Sequence, residues 1–139
     1  MPKVTTLFYC EDVNKNNNHI QINNPLNIFT PVYVPGMFSF SIVASILDID
    51  ENPFKIQLKF INQTNNKVLI DTNEIFVNEN NFVRDPGLPD KMQGFWIDLN
   101  FKNVVLDNEG EYVTEVYLNG KLDGEFPILV KQVNNKGAK

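Results

Sequence analysis

The sequence predicts an all-β domain, an antiparallel β-sandwich of about eight short strands, and three observations carry that expectation. Apolar residues recur at every second position in several segments of strand length. Polar clusters suited to tight turns separate those segments. No stretch of length carries helical periodicity, so nothing is available to cross over between parallel strands.

The elements follow in chain order. Val4 to Cys10 and His19 to Ile28 read as strands, while Pro25, Pro31 and Pro35 confine the neighbouring chain to edges or loops, because proline donates no ladder hydrogen bond. Phe38 to Leu47 is the clearest strand: Phe38, Phe40, Ile42, Ala44 and Ile46 alternate with Ser39, Ser41, Val43, Ser45 and Leu47, giving one apolar and one mixed face. Phe54, Ile56, Leu58 and Phe60 repeat the period with Lys55, Gln57 and Lys59 opposite, which is the pattern of a sheet wet on one side. The polar turn Asn62-Gln63-Thr64-Asn65-Asn66 then leads into a strand through Val68 to Ile70, resumed near Ile75 to Val77. Phe95, Ile97, Leu99 and Phe101 form a third alternation, with Trp96, Asp98 and Asn100 opposite. Last comes a hairpin, Tyr112 to Leu118, Asn119-Gly120, then Lys121 to Val130 through Phe126 and Ile128; Asn-Gly supplies the positive φ angles of a type I′ turn.

The stretch Leu106-Asp107-Asn108-Glu109-Gly110-Glu111-Tyr112 resembles the turn and tyrosine corner that enter the penultimate strand of immunoglobulin-like domains. It favours an immunoglobulin-like antiparallel β-sandwich over a closed barrel. The order of segments also resembles a family of small uncharacterised bacterial proteins with a predicted immunoglobulin-like β-sandwich fold. The pieces that carry the resemblance are Asn24-Pro25-Leu26-Asn27-Ile28-Phe29, the Pro-rich loop through Pro35, Gly110-Glu111-Tyr112, Leu118-Asn119-Gly120-Lys121 and Phe126-Pro127-Ile128-Leu129-Val130. The resemblance implies a short polar hairpin before the Pro-rich loop, a part that falls to Asp12 to Gln21, although its Asn-rich filling departs from the pattern. It implies architecture and transfers no catalytic residue.

Size and charge bound the function. A chain of 139 residues fits one domain, expected over 1–133 with a flexible tail at 134–139. Eleven Phe against one Trp point to a core of Phe, Ile, Leu and Val. The formal charge of -5 repels phosphate backbones and anionic membranes, so neither nucleic acid nor membrane is expected as a partner. The basic residues Lys131, Lys136 and Lys139 are too sparse to change that. Met1 to Cys10 lacks a basic region followed by a long apolar run, and a cytoplasmic location is expected. The excess of Lys over Arg84, the lone arginine, and the Asn runs at Asn16-Asn17-Asn18 and Asn80-Asn81 are bacterial or phage-like.

Chemistry-bearing residues are scarce. With His19 the only histidine and Cys10 the only cysteine, there is no zinc spacing and no internal disulfide. Cys10 shares the face of Phe8 and reads as a small buried filler, while His19 opens the next strand from a loop. Asp48-Ile49-Asp50-Glu51-Asn52 begins like a calcium loop, but Pro53 stands where the turn glycine belongs and Lys59 where the closing Glu belongs. No catalytic residue, no metal and no cofactor is therefore expected. Two segments remain as surfaces. The long connection Asn78 to Phe95 places Arg84, Met92 and Trp96 close together in sequence, residue types that anchor protein interfaces. Its alternative is a cross-sheet connection closed by Arg84 pairing with an acid. Thr30 to Met37, with Tyr33 and Met37, either covers the core or forms an exposed dimerising edge.

The expected function is thus a non-enzymatic protein-interaction or structural domain, a homodimer or an accessory protein of a bacterium, prophage or mobile element. The second reading is a small-ligand or carbohydrate-binding module in which Tyr33 and Trp96 stack on a ring, which requires the two exposed together.

Overall fold

In the computed structural model, residues 1–16, 19–50, 52–78 and 82–133 are described. The expected tail at 134–139, with Lys136 and Lys139, lies outside the described residues, as do Asn17, Asn18, Glu51, Asn80 and Asn81. The described chain forms ten strands: β1 (Lys3–Asn16), β2 (His19–Leu26), β3 (Ile28–Phe29), β4 (Gly36–Leu47), β5 (Phe54–Asn62), β6 (Lys67–Asp71), β7 (Ile75–Val77), β8 (Gly94–Leu106), β9 (Gly110–Leu118) and β10 (Lys121–Val130). One sheet runs β2-β1-β4-β8; the other runs β3-β10-β9-β5-β6, with β7 also on β5. The expected eight strands become ten because the chain breaks at Asn27, where β3 leaves the first sheet for the second, and because β6 and β7 pair separately with β5. All pairings are antiparallel except β3 with β10, which is parallel.

The two apolar faces meet in one core. Alternation along β5 puts Phe54, Ile56, Leu58 and Phe60 inward, and along β4 it does the same for Phe40, Ile42 and Ile46. Phe29, Phe40, Phe60 and Tyr112 are fully buried and in ring contact through Phe60. Each such side chain stabilises the fold by about 1.5–3 kcal/mol through apolar burial. Tyr112, at the start of β9, donates its hydroxyl proton to the Asn108 carbonyl at 2.7 Å, four residues upstream. This is the tyrosine corner that the sequence predicts. Asn62 Nδ2 donates to Asn108 Oδ1 at 2.7 Å, so a buried amide from the end of β5 steadies the same turn.

Proline falls where the ladder tolerates it. Pro25 lies on edge strand β2, and Pro31 and Pro35 lie in the loop before β4. Pro127 pairs with Val113 on one side, at a point where the short β3 has not yet reached β10 on the other. The last hairpin turns on Asn119 (φ 52°) and Gly120 (φ 80°), as its sequence requires.

The first sheet departs from a simple sandwich at one corner. β1 pairs with β4 only as far as Cys10; from Glu11 onward it pairs with β2 alone, forming a two-stranded arm. Cys10 and Val13, three residues apart, nonetheless share a cluster with Val43 of β4. A regular strand would put them on opposite faces, so the arm turns over between them. It comes to lie on the outer face of the sheet, where the Lys15 ammonium meets the Asp98 carboxylate of β8 at 2.7 Å.

Candidate interaction surface

Residues 82–93, the described stretch leading into β8, form a loop at one end of the sandwich that is held by a buried glutamine. Gln93 is only 3% exposed. Its amide nitrogen donates to the Asp85 and Leu88 carbonyls, and its amide oxygen accepts from the Asp85 N–H at 3.0 Å. Its backbone carbonyl accepts from the Ile49 N–H at 3.1 Å, tying the loop to the chain that leaves β4. Between these anchors, the Leu88 N–H closes a turn on Asp85 and a single 3-10 turn, Asp90–Met92, leads into Gly94. Gly94 sits so close to the Ile46 carbonyl that an added Cβ would lie 2.3 Å from its oxygen. Only glycine lets β8 start there.

Arg84 is spent inside this loop. One guanidinium nitrogen donates to the Ile49 carbonyl at 2.7 Å and another pairs with the Asp90 carboxylate. The connection crosses from one sheet to the other and Arg84 pairs with an acid inside it, so the guanidinium is not presented outward as an anchor. Asp85 is also occupied, accepting from the Gly87 N–H at 2.9 Å. The loop also presents apolar side chains to solvent, Val83 at 91% exposed, Met92 at 60% and Leu88 at 42%, interspersed with the exposed charges of Asp85, Asp90 and Lys91. Trp96 follows on the outer face of β8, half-exposed and beside Phe8 of β1, with ring centroids 6.2 Å apart and planes 19° from parallel. Pairing places Trp96 opposite Ser45, whose small side chain leaves room above β4 for the two rings to approach.

Tyr33 and Met37 stand elsewhere. Met37 pairs with Val105 at the far end of β4 and β8, and all three side chains are exposed. Tyr33 and Met37 border a shallow cleft of about 290 Å³ also lined by Thr30, Pro31 and Ser39. Trp96 is opposite Ser45 whereas Leu106 is opposite Gly36. Nine residues of strand separate these positions, roughly 30 Å at about 3.3 Å per residue. Tyr33 and Trp96 therefore do not form one stacking platform. Of the five residues singled out from sequence, Arg84, Met92 and Trp96 share one end and Tyr33 and Met37 the other.

The remaining candidates take quieter places. Cys10 is wholly buried beside Val13 and Val43, and its thiol is pushed up by burial, with the Asp12 and Asp98 charges adding in the same direction. His19 is exposed and pairs with Asn16, while Cys10 pairs with Pro25, so the two do not meet across the arm. Asp48 takes the N-terminal amine at 3.2 Å and Asp50 accepts from the Asn52 N–H, so both carboxylates are engaged within the fold. Among the described residues, no group of three or more His, Cys, Asp or Glu side chains is placed to hold a metal ion, and no helix is long and apolar enough to cross a membrane.

Sequence reasoning missed Gln93, Val83 and Leu88. A glutamine between Met92 and Gly94 carries no signal of burial; only the unusual length of the connection pointed to this segment.

Comparison with known proteins is consistent with this architecture. The family DUF6941, described as a family of unknown function, matches residues 5–131. Curated proteins yield no match. Among solved structures, an immunoglobulin-like protein of Pseudomonas aeruginosa matches with a TM-score of 0.50 at 12% identity, covering 94% of this chain and 97% of that one. The Pseudomonas fluorescens alkylpurine DNA glycosylase AlkC, bound to DNA containing an abasic site analog, matches with a TM-score of 0.50 at 9% identity. There 94% of this chain is covered but only 30% of the glycosylase, so this fold accounts for under a third of that protein. At such identities these likenesses speak for the fold alone.

Proposed function

Because the chain belongs to DUF6941, a family of unknown function, its kinship brings no activity with it, and we propose from its surface that it is a protein-contact domain. The observation that carries this reading is the pinned loop before β8. A buried glutamine and an internally paired arginine fix the backbone from Arg84 to Gln93, while Leu88 and Met92 within it and Val83 just before it remain in water. Apolar side chains carried on a loop already held in one conformation lose little entropy on docking, which is how rigid recognition loops gain affinity. Methionine and tryptophan are also among the side chains enriched at interfaces.

The simplest occupant is a second copy, giving a homodimer; an accessory role on another bacterial protein uses the same surface. DNA binding is not part of the proposal, since the formal charge of -5 works against phosphate contact. A cytoplasmic location belongs to it, supported by the buried, unpaired Cys10.

Light scattering over a concentration series tests the reading, with Leu88→Asp and Met92→Asp as variants. The expected result is a mass that doubles with concentration in the wild type and stays monomeric in both variants. A wild type that is monomeric throughout, and whose photo-crosslinker at position 92 captures no protein in a host extract, overturns it.

A further inference from the structure

The outer face of a sandwich sheet normally meets solvent, yet on the β2-β1-β4-β8 sheet three adjacent outer positions do not. Val43 and Cys10 are 0% exposed and Ser41 is 2% exposed. What covers them is the β1–β2 arm, through Val13, Ile20 and Ile22. We propose that this arm is a strap, able to lift from the sheet and close again while the sandwich beneath stays folded.

Four features point that way. The strap's apolar contact is a small cluster separate from the main core, so lifting it opens nothing between the two sheets. Beyond Cys10 it makes no ladder with β4 and depends on its own two strands for backbone pairing. A bend is built in where it leaves the sheet: Asn24 adopts φ 54° and donates to the Glu11 carboxylate at 2.8 Å. Near its tip one ion pair fastens it, Lys15 to Asp98, with the Lys15 side chain 66% exposed and that of Asp98 10% exposed. The lysine is already in water and loses little on release. The carboxylate, by contrast, regains hydration only when the strap lifts, so removing Lys15 leaves a nearly buried charge without its partner and favours the open form.

Opening bares Val43, which pairs on one side with Phe8 and on the other with Asp98, directly beside the exposed Phe8–Trp96 rings. A closed strap thus covers one end of an apolar band, and an open one extends the exposed Phe8–Trp96 rings with Val43 and Cys10. This inference does not rest on the contact function proposed above.

Cys10 is the reporter, since its thiol reacts with iodoacetamide only when the strap is off. The test follows its alkylation by intact mass on the full chain and compares the rate with global unfolding measured in urea. The wild type is expected to label much faster than global unfolding allows, at a rate nearly flat in low urea. Lys15→Met is expected to label about tenfold faster at almost unchanged global stability. Val13→Ser should also speed labelling, and Lys121→Met, far along the chain on β10, should not. Salt should accelerate the wild type but not Lys15→Met. Labelling that tracks global unfolding across urea, with Lys15→Met changing it only in step with stability, overturns the strap.

Discussion

The Tyr9 hydroxyl of β1 lies 2.6 Å from Thr114 Oγ1 of β9 and donates to the Phe126 carbonyl of β10 at the same distance. Its single proton goes to the carbonyl, so the Thr114 hydroxyl donates to the phenol. One side chain thereby fastens the first sheet to two adjacent strands of the second, at a site buried from water.

Tyr9→Phe keeps the ring and leaves Thr114 and the carbonyl without their partner. A loss of about 1–3 kcal/mol is expected from a buried unmet group of this kind, read as a lower urea midpoint at unchanged slope.

Alkaline pH adds a second readout. Burial raises the Tyr9 phenol well above its ordinary value, and hydrogen bonding to the Glu115 carboxylate pushes Tyr117 up to about 12. Below about pH 10 both forms of the protein hold these protons. Above it the unfolded chain releases them first, so stability is full below that pH and declines as pH rises toward the folded values. Tyr9→Phe should flatten part of the decline in urea titrations between pH 9 and pH 11, values chosen around the ordinary tyrosine range of about 10.

At the tyrosine corner, Tyr112→Phe removes the donor to Asn108 and Asn62→Ala removes the amide beside it. Each is expected to cost about 1–3 kcal/mol. Because both act on one turn, the double variant should cost less than the sum, which a double-mutant cycle in urea measures directly.

Gln93→Leu should free the loop before β8. The Asp85 amide and the Leu88 carbonyl lose their side-chain partner, and hydrogen exchange at Asp85 should rise at least tenfold while β4 and β5 amides keep their protection. Unchanged exchange at Asp85 would show that the loop is held some other way.

Two glycines of the last hairpin separate backbone from packing. Gly120 sits at φ 80° with nothing within 4 Å of an added Cβ, so Gly120→Ala should cost about 1–2 kcal/mol through conformation alone. At Gly124 an added Cβ would stand 2.9 Å from Phe126 Cε2 and 3.0 Å from Val4 Cγ1. Gly124→Ala should therefore be relieved in part by Val4→Ala, whereas Gly120→Ala should not; thermal midpoints of the three single and two double variants decide it.

The strands that bury one face were legible because burial follows the pleat. Phe38 to Leu47, Phe54 to Phe60 and the Asn119-Gly120 hairpin appear within a few residues of where alternation and turn chemistry put them. Tyr112 was readable too, because the corner is a local motif. The arm was not. Nothing in the mixed face of β4 distinguishes Val43, which is covered, from Ser45, which lies opposite Trp96; the cover comes from Val13, Ile20 and Ile22, between 21 and 30 positions earlier in the chain. The continuation of β8 past Phe101 was hidden for a different reason. A bulge at Asn103 (φ 58°), whose N–H donates to Ser39 Oγ, shifts the register and breaks the alternation. At the candidate surface the residue types were visible, but which of them face water depends on how Gln93 and Arg84 satisfy the loop backbone.

The parallel pair of β3 and β10 also sets an order in time. Ile28 and Phe29 find their strand partners only in Leu129 and Val130, so during synthesis the Phe29 ring waits until the chain through Val130 has left the ribosome. Until then Phe38 and Phe40, which it packs against, lie open on that flank. Closure of this seam belongs among the late events of folding, in the slow class of topologies dominated by distant contacts. A nascent chain stalled before Leu129 would be the form most in need of a chaperone.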